Sequence, residues 1–116
     1  MLTNLSQATP RAYSRYGREA LVLLGQRIRI HRIERKLSVQ ELAARVGVSR
    51  DMMQRIERGD PRCGVGFVFE AAAIVGVILF EQDSSALASR IAEHDEKLRL
   101  LPKSIRKNRT VLKDEF

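Results

Sequence analysis

The chain has 116 residues, 44% of them hydrophobic and 30% charged, which suffices for one small core with segments to spare. No apolar run approaches the roughly 18 residues of a membrane span, because the run at 21–24 gives way to Gly25-Gln26-Arg27. The formal charge of +7 points to a polyanionic partner, and the lone Cys63 excludes an intramolecular disulfide and makes no zinc spacing with His31 and His94.

Residues 1–18 hold three arginines and no acid, a composition shared with organelle transit peptides. They are read as a flexible arm whose Arg11, Arg15, Arg18, Tyr13 and Tyr16 can follow a DNA backbone or pack on the domain or a partner. Leu21, Leu24, Ile28 and Arg32 then recur at helical spacing and predict a first helix over 19–35.

Residues 38–59 are the most informative. Ser38 with Glu41 three positions on is a capping box, and Ser49 can cap a second helix. Gly47 between them suits a left-handed residue after the first of these helices. Two short helices across a turn of about three residues make a helix-turn-helix. Ala43 is the small residue at the close contact, Leu42 and Val46 form the apolar stripe, and Val48, Met53 and Ile56 face the same core. Arg50, Asp51, Met52, Gln54, Arg55 and Arg58 are left on the outer face of the second helix. Its polar residues suit a helix lying in a DNA major groove.

Asp60-Pro61 signals a turn that holds Cys63. Gly64-Val65-Gly66 is too weak a signal for a phosphate loop and is read as the start of a buried helix from Phe67 to the stop at Gly76. Val77, Ile78, Leu79 and Phe80 are expected to close the core. Asp83 or Ser84 can cap a further helix that Pro102 ends. Along it Leu87, Ile91, His94, Leu98 and Leu101 recur at steps of 4, 3, 4 and 3, a short heptad stripe. That stripe can fold back on the domain, pair with its copy or bind another protein, and His94 within it is read as a tolerated polar residue. The tail is basic from Lys103 to Arg109 and ends on Phe116. The domain boundaries expected are therefore an arm at 1–18, the helix-turn-helix domain at 19–82, a C-terminal helix at 83–101 and a flexible tail at 102–116.

Charge follows this division. Residues 19–59 carry nine basic against five acidic side chains, 60–83 one against four, and 103–116 five against two, while 84–102 are balanced. A basic motif with basic ends and an acidic segment between orients a protein on DNA and gives salt-dependent, sequence-independent affinity.

The run of Leu24-Gly25, Ile28-Arg29, Arg32, Leu37-Ser38, Glu41-Leu42-Ala43, Gly47-Val48-Ser49-Arg50, Ile56-Glu57-Arg58-Gly59 and Ala72 to Gly76-Val77 resembles the phage-repressor, or XRE, type of helix-turn-helix. The resemblance implies an all-α fold: a five-helix phage-repressor-like DNA-binding domain with an additional C-terminal helix and flexible tails. It implies that Arg50, Asp51 and Arg55 reach base edges, with Gln54 peripheral and Ser49 near a phosphate, and that Arg32 and Glu57 form a partly buried ion pair. Asp51 would accept from cytosine or orient a neighbouring arginine. Members usually carry Gln where this chain has Val39, so that phosphate contact is missing or is made by Gln40. The family implies a homodimer on a double-stranded DNA operator in a bacterial cytoplasm, nucleoid-associated.

The Tyr13-Ser14-Arg15-Tyr16 segment, the Gly59-Asp60-Pro61 turn and the terminal Phe116 further resemble HipB-like antitoxins. This likeness implies autoregulation of an operon and neutralisation of a HipA-like kinase toxin, with Phe116 inserted in the toxin. The alternatives are a stand-alone phage-type or restriction-control repressor and, favoured by Val39, a protein-interaction module without DNA reading. No nucleophile set, acid pair or metal cluster stands at a usable spacing, so no enzyme, cofactor or metal is expected.

Overall fold

Ser14, Ser38, Ser49 and Asp83 each stand one residue before a helix and accept a backbone N–H from its first turn, at 3.0, 3.0, 3.0 and 2.7 Å respectively. Such caps satisfy donors that no helix can satisfy internally. In the computed structural model, which describes residues 13–81 and 83–105, they begin four of five helices. These are α1 (Arg15–Glu34), α2 (Val39–Val46), α3 (Arg50–Arg58), α4 (Val65–Val75) and α5 (Ser84–Leu100). No strand occurs among the described residues, and the fold is all-α as expected. Two compact units are present, Met1–Leu79 and Phe80–Phe116.

Helix α1 starts four residues before the expected position. The basic, acid-free composition of the first eighteen residues masked the cap at Ser14. Arg15, Tyr16 and Arg18 are therefore helical, and Tyr13 and Tyr16 remain exposed rather than packed on the domain.

In the first unit α3 packs on α1 and α2, and α4 packs on the same two helices. Ile28, Leu42, Ala43, Met53, Ile56, Val68, Ala71, Ala72, Val75 and Val77 form the core. Sheltering of the fully covered Ile28, Leu42, Met53 and Val75 contributes on the order of 1.5–3 kcal/mol per side chain. On α4 the covered positions are Val68, Ala71, Ala72 and Val75. Phe67 and Phe69, expected inside, are 45% and 39% exposed, because a 100° step per residue turns them to the flanks of that stripe. Beyond α4, Val77 is buried and Leu79 packs on the core, whereas Ile78 is exposed and does not close it as expected; Phe80, which begins the second unit, is exposed.

The approach of α1 to the end of α3 depends on two glycines. A Cβ on Gly25 would lie 2.6 Å from the Glu57 carbonyl oxygen, and one on Gly59 would lie 2.6 Å from the Val22 Cα. Gly59 also has φ +80, the left-handed region that side chains disfavour.

In the second unit Leu101 stands at the end of α5 and Pro102 follows. No residue of α5 is buried, and its stripe of Leu87, Ile91, Leu98 and Leu101 is open to solvent. Arg90 pairs with Glu81 at 3.0 Å and with Glu93 at 3.5 Å, and Arg99 pairs with Glu96.

Candidate nucleic-acid interface

The turn between α2 and α3 is built on one acceptor. The Ala43 carbonyl takes the Gly47 N–H at 2.8 Å and the Val48 N–H at 3.0 Å. Ala43 itself is fully buried, and Gly47 has φ +90. At the head of α2, Glu41 donates its N–H to the Ser38 hydroxyl, while its carboxylate accepts the Ser38 N–H at 2.8 Å. That bond from the Ser38 backbone first, and then a side-chain hydrogen bond from the Ser38 hydroxyl to the carboxylate, hold the Glu41 carboxyl below its usual range.

Helix α3 buries Met53, Ile56 and Glu57. Arg50, Asp51, Arg55 and Arg58 are exposed, Gln54 is half-buried, and Ser49 is exposed at the cap. Met52, expected on the outer face, is half-buried and packs on the core. Its position beside Met53 at the helix start widens the apolar stripe. Among the described residues no side-chain hydrogen bond or ion pair holds Arg50 or Asp51.

Orientation of α3 depends on a buried pair. Arg32 on α1 donates from Nε to Glu57 Oε2 at 2.6 Å and from Nη2 to Oε1 at 3.1 Å. A third donor, Nη1, reaches the Leu37 carbonyl at 2.8 Å. Side-chain exposure is 10% for Arg32 and 6% for Glu57, so the fork-to-fork bonds replace water on both charged groups. The pair ties α3 to α1 and to the residue before the Ser38 cap.

Val39 is half-buried and packs on the core, whereas Gln40 beside it is exposed. At the head of α2, Gln40 is thus the polar side chain available to a ligand. A groove of about 280 Å³ lies next to it, lined by Arg29, Arg32, Val39, Gln54, Glu57 and Arg58. Arg29 and Arg58 place cations on this groove; Arg58 was expected on the outer face of α3, whereas Arg29 was not among the expected residues. The signal for Arg29 was its position three residues before Arg32, which puts both on one side of α1.

Asp60 and Arg62 were also missed. Asp60 accepts from the Arg62 backbone at 2.9 Å and from its guanidinium at 3.0 and 2.9 Å. These bonds, the guanidinium's first, lower the Asp60 carboxyl to about 2. The Arg62 side chain stays 83% exposed, so a cation is fixed in the loop just after α3. Cys63 is half-buried there. Burial, and then the Asp60 charge, push its thiol up, which disfavours a reactive thiolate.

His31 donates from Nδ1 to the Val75 carbonyl at 3.1 Å, satisfying the end of α4. His94 is exposed on α5. Phe116 lies outside the described residues. No group of three or more His, Cys, Asp or Glu suited to a metal occurs among the described residues. No described helix is long and apolar enough to cross a membrane.

Comparison with known proteins agrees with this architecture. No curated protein and no solved structure matches the chain. Residues 23–78 match the family model described as a helix-turn-helix domain. The segment from within α1 to just beyond α4 is accordingly a helix-turn-helix domain, the architecture of DNA-binding regulators.

Proposed function

We propose that the protein is a sequence-specific transcriptional repressor of the XRE type that binds a double-stranded DNA operator as a homodimer. The observation that carries this reading is the division of α3 into a buried apolar face and an exposed face bearing Arg50, Asp51 and Arg55. Arginine offers two parallel donors to the O6 and N7 of guanine, and Asp51 offers an acceptor to the amino group of cytosine. Ser49 and Gln40 lie at helix heads, where they contact phosphates and set register. Gln54 lies at the edge of the same face.

The test is selection from a randomised duplex library, comparing the protein with Arg50→Ala and Arg55→Ala. The wild type enriches a defined motif. Each variant keeps its fold and its salt-dependent affinity but loses preference at one position by roughly 1–3 kcal/mol. Unchanged enrichment in both variants rules out α3 as the reading helix.

We further propose that the protein acts as a HipB-like antitoxin. Support comes from the Tyr13-Ser14-Arg15-Tyr16 segment with both rings exposed, the Asp60-Pro61 turn and the terminal Phe116. Deleting residues 111–116 releases a co-expressed HipA-like kinase without weakening DNA binding. Unchanged growth and an intact complex after the deletion exclude this role for the tail.

A further inference from the structure

Helix α5 spans 17 residues, about 25 Å, and leaves its heptad stripe uncovered. Ile91 is 55% exposed and Leu98 65% exposed. With Ile91 and Leu98 at a, and Leu87, His94 and Leu101 at d, the flanking positions follow from the register. Arg90 and Lys97 fall at g and Asp95 at e.

We propose that α5 is the interface between two copies of this chain, joined as a parallel two-stranded coiled coil. The argument for a second copy, and for this direction, is charge complementarity. In a parallel pair each g residue faces the e residue five positions on in the partner. Arg90 then faces the partner's Asp95, and symmetry repeats the contact on the other side. Arg90 already bonds Glu81 and Glu93, yet its side chain stays 55% exposed, so Asp95 across the seam shares that guanidinium or replaces the longer Glu93 contact. In an antiparallel pair g faces g, and Arg90 would meet the partner's Lys97. Like charges there favour the parallel form.

A parallel coil brings the two Asp83 caps to one end, so both preceding chains leave from the same side. That suits a pair of domains reading adjacent half-sites about 34 Å apart. The stripe is short and has His94 at its centre, so the coil alone is weak. A two-half-site operator supplies the effective concentration that completes it.

This assignment deepens the homodimer part of the reading above, and its test contains no DNA, so it fails or holds independently of base recognition. Sedimentation equilibrium of the full chain is run over a wide concentration range, with circular dichroism to check folding. The wild type shows a reversible monomer–dimer equilibrium. Ile91→Asp weakens it more than about tenfold by placing a charge in the seam. His94→Leu tightens it by removing the polar layer. Arg90→Glu weakens it roughly 3- to 10-fold, and adding Asp95→Lys to that variant restores it. A wild type that stays monomeric throughout, a dimer indifferent to Ile91→Asp, or a dimer tightened by Arg90→Glu overturns the proposal. Ile91 is not part of the core, so its replacement leaves helicity of the first unit intact.

Discussion

Removing either partner of the Arg32–Glu57 pair should unfold much of the population, whereas removing both should not. The Arg32 side chain is only 10% exposed beside Glu57, and Glu57→Ala removes two of its three bonds and leaves only the Leu37 carbonyl. Breaking one side of a buried pair costs about 3–5 kcal/mol. In a domain of this size 1 kcal/mol moves Tm by about 4–8 °C, so 3 kcal/mol corresponds to about 12–24 °C. Replacing both groups by apolar side chains of similar volume, Arg32→Met with Glu57→Leu, removes the unpaired charge and is close to neutral by comparison. Urea unfolding followed by circular dichroism at constant pH measures Arg32→Met, Glu57→Leu and the double variant, and the cycle isolates the coupling. A double variant that loses as much as the two singles added together refutes the argument. So does a single variant within 1 kcal/mol of wild type.

Two further predictions concern backbone approach and acid. Gly25→Ala places a methyl group 2.6 Å from the Glu57 carbonyl oxygen and 2.7 Å from that of Ile56, and overpacking of this kind costs about 1–3 kcal/mol. A melting curve unchanged from wild type removes the close crossing of α1 and α3. The Asp60 carboxyl titrates at about 2 in the folded chain against an ordinary 3.8. Its contribution to stability is therefore complete above about 4 and lost as pH falls toward 2. The stability gap between wild type and Asp60→Asn should shrink over that range, and a gap independent of pH between 5 and 2 contradicts the Asp60–Arg62 geometry.

Local chemistry made much of this molecule legible. Ser38, Glu41, Gly47 and Ser49 carry their helix boundaries in their own side chains or in the lack of one, and the observed caps use those atoms. What escaped was set by partners distant in sequence. Gly25 looks like an unfavourable helix residue until the end of α3 is laid against it. Phe67 and Phe69 are as apolar as Val68, and only the direction of packing leaves them outside. Met52 was misplaced because a helix of nine residues has too few turns to define the edge of its stripe. In the candidate interface, exposure of Arg50, Asp51 and Arg55 followed from the helical period. The groove bearing Arg29 and Arg58 did not, since its walls come from three helices.

The outer face of α3 has a consequence for evolvability. Arg50 and Asp51 are exposed and spend no side-chain hydrogen bond or ion pair on holding the helix in place; that task falls to Arg32, Glu57 and the core. Substitutions at these positions should therefore be close to silent in stability, and the surface can drift toward new target sequences while the scaffold stays fixed. For a designer, randomising 50, 51 and 55 together explores altered recognition in a background that still folds.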